Sequence, residues 1–141
     1  MTINRNAIEQ LEKKITKRVE DRVRKTAIDV WSTVNTATTS GGGGSPVLTS
    51  RYIKSHRINT GAVDTSVHPV LSGGTGGLAP DPGFKGQSVG IAENEMKAFK
   101  LGQNVFITDS VPYAGILERG GSRKTPQGIY GPAVQSLKRG R

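Results

Sequence analysis

Cysteine is absent from the 141 residues, which excludes a disulfide framework and any thiolate metal site. The chain therefore holds together by packing or by assembly, as suits a reducing cytoplasm. No run of about eighteen apolar residues occurs, so no membrane-spanning helix and no membrane partner is expected. The first residues lack the apolar block of a signal peptide, and export by the common route is not expected either. Acidic residues are the minority. Eleven Asp and Glu face twenty Lys and Arg, a net charge of +9 that favours an acidic partner: nucleic acid, an anionic surface or another protein's acidic face. Apolar residues make up only 33% and glycines number 19, so residues 1–141 read as one domain with a small core and many loops.

Recognisable chemistry is missing too. His56 and His68 lie in separate extended pieces, away from any metal-ligand spacing, and both read as surface histidines. Asp64, Asp81, Glu93, Glu95, Asp109 and Glu118 show no pairing suited to general acid and base work. No serine sits in a G-x-S-x-G turn, and the glycines of residues 72–87 are not followed by the GK[ST] of a phosphate loop. No enzyme activity and no cofactor is expected.

What is present begins with a helix. Ile8, Leu11, Ile15, Val19, Val23, Ala27, Val30 and Val34 follow at steps of three or four without Pro or Gly, which predicts one long helix within residues 1–40, capped by Thr2 or Asn4. At 1.5 Å per residue it spans about 45–50 Å, more than a small domain needs, so part of its stripe is expected to meet another subunit. Its other faces carry Lys13, Lys14, Lys17, Arg18, Arg22, Arg24 and Lys25 among Glu9, Glu12, Glu20 and Asp21. They read either as a solvated face with pairs such as Glu9 with Lys13 and Asp21 with Lys25, or as a nucleic-acid contact.

Residues 41–46, GGGGSP, form a flexible joint. Residues 47–137 are the sheet-containing part. Tyr52-Ile53, Ile58, Val63 and Val67 supply one or two strands, residues 72–87 a mobile Gly- and Pro-rich loop, and Val89 to Ile91 an extended piece. Ala92 to Leu101 reads as a short helix stopped at Gly102, followed by a strand over residues 104–108. Pro132 suits the first turn of a terminal helix, and residues 138–141, with Lys138, Arg139 and Arg141, form a fraying basic tail. The expected fold is α+β: a long N-terminal helix packed on a small, mainly antiparallel sheet, a short helix before the last strand, a short C-terminal helix and long Gly-rich loops.

Three residues are singled out by type and place. Tyr113, after Pro112, reads as a core ring over an interface role. Glu118 either tethers the cationic loop that follows it or pairs with a cation of an adjacent subunit. Trp31 either closes the core or anchors an interface.

Two parts of the chain are less generic. Residues 45–58, SPVLTSRYIKSHRI, resemble the P-V-D-T-G-R-x-x-x-S-W/H-x-I pattern of tail-completion or neck proteins of tailed bacteriophages, the broad group that includes minor tail protein Z. Residues 101–114, LGQNVFITDSVPYA, resemble that group's L-G-D-x-I-Y-I-x-N-N-x-P-Y-A, and Leu117-Glu118-Arg119-Gly120 and residues 122–128 continue the likeness in order and spacing. The chain departs at Leu48, Ser50 and Asp109, where the pattern has Asp, Gly and Asn. Arg119 and Gly121 stand where aromatic residues are usual, and they remove aromatic area from the loop.

The resemblance implies a structural virion protein that does no chemistry, forms a six- or twelve-fold ring at the head–tail junction and enters the virion from the host cytoplasm. Its neighbours would be a portal, adaptor or head-completion protein on one side and a tail terminator or tail tube protein on the other. Arg51, Tyr52, Tyr113, Glu118, Arg119, Arg123, Lys124, Pro126 and Trp31 are the candidate interface residues. Lys13, Lys14, Lys17, Arg18, Arg22, Lys138, Arg139 and Arg141 are the candidates for contact with genome DNA or acidic partners.

Overall fold

The computed structural model describes residues 4–38, 45–46, 51–66 and 84–139, with backbone alone at 37–38, 45–46, 51 and 84–85. Gly41 to Gly44 of the joint, most of the 72–87 loop, Val67, His68 and Arg141 lie outside the described residues, while Ser45 and Pro46, expected in the joint, pair with Ala37 and Thr38. The fold is α+β. In chain order it comprises α1 (Arg5–Val34), β1 (Ala37–Thr38), β2 (Ser45–Pro46), α2 (Arg51–Ser55), β3 (Arg57–Thr60), α3 (Phe84–Lys97), β4 (Val105–Thr108), α4 (Ala114–Glu118) and α5 (Tyr130–Arg139).

α1 starts where local chemistry places it. The Asn4 side chain accepts from the Ala7 N–H at 3.3 Å, one of the first-turn donors that have no partner inside the helix. Its second half is the spine of two cores. Ala27 and Trp31 pack with Ile58 of β3, Ala92 and Met96 of α3, and Phe99. Val30 and Val34 pack with Tyr52, Val111, Ile129 and Ala133, closing α2 and α5 on the other side. Asn4 to Val19, by contrast, are all exposed.

β3 and β4 are antiparallel, with Ile58 opposite Ile107 and Asn59 opposite Phe106. A two-stranded sheet is marginal alone, and α1 and α3 cover its inner face. The middle of α1 also clamps α3. Arg24 donates from Nε to the Met96 carbonyl at 3.0 Å and from a terminal nitrogen to the Phe99 carbonyl at 2.8 Å, taking up carbonyls at the end of α3, while Glu20 accepts from the Leu101 N–H at 3.0 Å.

Several local expectations are corrected. Tyr52 and Ile53 lie in the one-turn helix α2, because five residues are too few for a period to separate helix from strand. Residues 61–66, expected to carry part of a strand at Val63, are irregular. They are held by Arg57, which bonds the Asp64 carboxylate and the Ser66 carbonyl, and by Thr108, which donates to the Asp64 carbonyl. Val89 to Ile91, expected extended, lie inside α3, which starts at Phe84 and ends at Lys97 rather than running on to Leu101. Gly86 and Gly90 weaken a helix, but Ser88, Ala92 and Met96 fall at intervals of four and bury against α1, and that packing outweighs the glycines. Gly102 does take a positive φ of 96°, five residues beyond the helix. Lys138 and Arg139, expected in the tail, form the last turn of α5. The pairs on α1 also differ: Asp21 meets Lys17 and Arg24, at 3.3 and 3.0 Å, and not Lys25, and no ion pair joins Glu9 to Lys13.

Candidate docking site

The stretch from β4 to α5 is built as a clasp. Past Thr108, the Asp109 carboxylate accepts from the Val111 N–H at 2.9 Å and thereby sets the turn into α4. Glu118, the last residue of α4, reaches across the following loop to the start of α5. Its Oε2 accepts from the N–H groups of Ile129 at 2.8 Å and Tyr130 at 3.0 Å, and its Oε1 from Gly131 at 3.1 Å. These are donors that a helix N-terminus leaves without intrahelical partners, and a carboxylate there also meets the positive end of the helix dipole. Of the two readings of Glu118, the tether is the one present within the subunit. It acts on backbone and not on the cations of the loop.

Two glycines let the clasp close. Gly128, at φ 84°, lies against the Glu118 carbonyl so closely that a Cβ would collide with it, and Gly120, at the same φ, lies equally close to the Pro126 carbonyl. The loop that they shape presents Arg119, Arg123, Lys124 and Pro126, all exposed, without an acidic residue among residues 119–128. The guanidinium of Arg119 folds back along Gly115.

Beneath the clasp lies a buried polar network that no local pattern announced. Ser55 Oγ lies 2.5 Å from Asp109 Oδ2 and 2.7 Å from the Tyr52 carbonyl, and His56 Nδ1 lies 2.8 Å from the Tyr130 hydroxyl and 3.4 Å from Asp109 Oδ2. The expectation of a surface histidine is thus corrected: His56 is 1% exposed, roofed by Tyr52 and Tyr130 edge-on to its ring. Burial lowers its pKa to about 3 and raises that of Asp109, and burial also pushes both tyrosines up. With His56 neutral, we assign the Tyr130 hydroxyl as donor to Nδ1. The single Ser55 hydroxyl proton serves either the Tyr52 carbonyl or Asp109 Oδ2. The trio is not a nucleophilic triad, since Ser55 bonds to Asp109 and not to His56. It ties α2, β4 and α5 together.

That tie has a pH signature. Unfolded His56 takes up a proton below its ordinary pKa of 6.5, whereas folded His56 stays neutral until about pH 3. The unfolded state therefore binds more protons in this window. The His56 contribution is fully present above pH 6.5 and is lost as pH falls towards 3. Asp109 works in the opposite sense: its raised pKa stabilises the fold at low pH, and this is lost as pH rises through the folded value. The expected result is that His56 removes about 2 kcal/mol between pH 7 and pH 5, at up to 1.36 kcal/mol per pH unit. Urea midpoints at the two pH values measure it, and His56→Gln flattens the slope. An unchanged slope in that variant would place the titrating group elsewhere.

The candidate interface residues thus divide. Trp31 is a core residue, 1% exposed, donating from Nε1 to the Ser88 carbonyl at 2.7 Å, and Tyr52 is 4% exposed; buried within one subunit, neither offers an interface surface, which corrects that expectation for both. Tyr113 is half-buried, packed against the second core and 6.2 Å from the Tyr52 ring. Arg51 opens α2, and its side chain is not among those described. Lys13, Lys14, Lys17, Arg18 and Arg22 are exposed along α1, and Lys138 and Arg139 are exposed at the end of α5. The network residues Ser55, His56 and Tyr130 were missed because only the fold brings them together with Asp109.

The larger unpartnered surface lies on α1. Ile8, Leu11, Ile15 and Val19 are 44, 57, 54 and 39% exposed, and at 3.6 residues per turn they fall within an arc of about 80°. The same arc runs on through Arg22 and Thr26 into a groove of about 420 Å³, walled by Val23, Ala27 and Val30 of α1 and by Val105 and Ile107 of β4. Stripe and groove form one apolar surface. Among the described residues, no helix is long and apolar enough to cross a membrane, and no three His, Cys, Asp or Glu residues are grouped to hold a metal ion. No known protein family, no curated protein and no solved structure matches the chain.

Proposed function

We propose that the chain is a structural virion protein of a tailed phage, a ring-forming tail-completion or neck component that joins the head connector to the tail and performs no catalysis. The observation that carries the reading is the exposed stripe on the projecting half of α1. Fifteen residues, Arg5 to Val19, extend about 22 Å with every side chain exposed. A helix of that length is marginal in water by itself, so burial against a neighbour is what would stabilise it. The resemblance of residues 101–128 to the neck proteins supports the same reading from another side. Two of the residues that carry it, Glu118 and Gly128, hold the clasp and so shape the exposed loop at 119–128. In this mechanism the helices bury against neighbouring subunits, and the cationic loops seat on acidic faces of the rings above and below.

The test is assembly of particles that lack the protein. Heads and tails should accumulate without stable joints, and purified protein added back should restore joining. Normally joined particles in its absence would sink the reading.

A second reading, sequence-independent binding of nucleic acid, is favoured by Lys13, Lys14 and Arg18, which are exposed and form no ion pair among the described residues. It requires DNA binding by the isolated monomer that falls steeply with salt. Absence of binding near physiological salt would remove it.

A further inference from the structure

We infer that the projecting half of α1 docks into the α1–β4 groove of a second copy of this chain, with Glu12 of the incoming helix meeting Arg22 of the receiving subunit. The inference rests on the ring reading and deepens it by naming the contact. Donor and acceptor surfaces are both present in one chain, and among the described residues nothing covers either. The donor is the stripe Ile8, Leu11, Ile15 and Val19, and the acceptor is the groove closed by Val105 and Ile107.

Charge selects the same occupant. Arg22 is the one charged side chain among the described residues lining the groove, and it forms no ion pair within the subunit. Glu12 lies about 55° round the helix from the centre of the stripe, the nearest carboxylate to it, and it is exposed and unpaired as well. A stripe placed in a neighbour's groove thus brings one unpaired carboxylate to one unpaired guanidinium.

The geometry also fits assembly. Stripe and groove are successive segments of one α1 face, so a copy can give its stripe to one neighbour and its groove to another. That head-to-tail contact closes into a ring when the rotation between copies permits, whereas reciprocal exchange across a two-fold axis would stop at a dimer and overturn the ring. A stripe-to-stripe contact would instead be self-complementary. It would stop at a dimer and leave both grooves empty.

Because the chain has no cysteine, introduced cysteines report the contact directly. Single variants Leu11→Cys and Thr26→Cys of the full chain are oxidised separately and mixed, then run without reductant. Disulfide-linked dimers are expected only in the mixture. Dimers from Leu11→Cys alone at equal yield would show stripe-to-stripe pairing and overturn the proposal, as would no crosslink in the mixture at concentrations where the protein is oligomeric. A chain that stays monomeric at high concentration would overturn it too.

Sedimentation then measures the energetics. Leu11→Glu should weaken association at least tenfold, since it places a charge where an apolar side chain is buried. At concentrations where both proteins are monomeric it should leave circular dichroism and the unfolding midpoint unchanged, because Leu11 is exposed and belongs to neither core. Arg22→Glu and Glu12→Arg should each weaken association roughly fivefold, and the double variant should restore it. No restoration would remove the Glu12–Arg22 contact. Rings that survive Leu11→Glu would defeat this inference and leave the joining function standing. Groove-docked rings in a phage whose particles join normally without the protein would do the reverse.

Discussion

Replacing Glu118 with alanine is expected to lower the stability of the fold by about 3 kcal/mol, read as a shift in urea midpoint. The carboxylate accepts three backbone N–H groups at the start of α5, and alanine leaves all three without a partner. Hydrogen bonds to a charged acceptor contribute roughly 1.5–3 kcal/mol each when a partner is removed, but Gly131 is exposed and water can take over part of the loss. Removing a negative charge from a helix N-terminus adds roughly 0.3–1 kcal/mol. Ile129 is the residue that feels the change most, because it is fully buried and supports the second core with Val34 and Ala133. Glu118→Gln keeps one acceptor oxygen and should lose about half as much. A loss under about 0.5 kcal/mol for the alanine variant would show that α5 does not depend on the clasp.

Gly128→Ala should cost more, about 4 kcal/mol, for two reasons that a comparison separates. A left-handed backbone costs a residue with a Cβ roughly 1–2 kcal/mol wherever it occurs. At Gly128 the Cβ would also collide with the Glu118 carbonyl and stand 3.0 Å from its carboxyl carbon, so α4 has to move away and the three bonds to α5 go with it. Gly102 is the control. Its φ of 96° is just as left-handed, but nothing lies within 4 Å of a Cβ there, so Gly102→Ala should show the backbone cost alone. Because Gly128→Ala and Glu118→Ala break the same clasp, the double variant should lose less than the two losses added. Full additivity would mean that Gly128 acts independently of Glu118. Equal losses at positions 102 and 128 would mean that the collision is relieved by small shifts.

The clasp shows what kind of information the chain carries locally. Glu118 reads from its neighbours either as a tether of the loop carrying Arg119, Arg123 and Lys124 or as a partner for another subunit's cation, and both readings give it an ionic partner. The actual partners are backbone N–H groups more than ten residues on, and a main chain has no letter of its own. His56 is the stronger case. Histidine among Ser, Lys and Arg reads as a surface residue, and only the approach of Tyr130 and Asp109 from distant parts of the chain makes it a buried one. α3 differs from its expected bounds for a related reason: Gly86 and Gly90 speak against a helix, and the packing of Ser88, Ala92 and Met96 on Trp31 that overrides them is visible only in three dimensions.

By itself, then, the sequence determined what depends on near neighbours. α1 follows from an uninterrupted apolar period and an Asn cap, the α+β class from the mixture of periods, the terminal helix from Pro132, and the excess of positive charge from composition. Even the prospect of an unpartnered stripe followed from length, since a thirty-residue helix outruns a small core. Tertiary structure decided what depends on distant approach: which half of the stripe is buried, which carboxylate holds which helix, and which histidine stays neutral. The physical reason is the same in each case. Periodicity and capping act over a few residues along the chain, whereas burial and hydrogen-bond partners at Trp31, His56 and Glu118 are set by segments that meet only when the core closes.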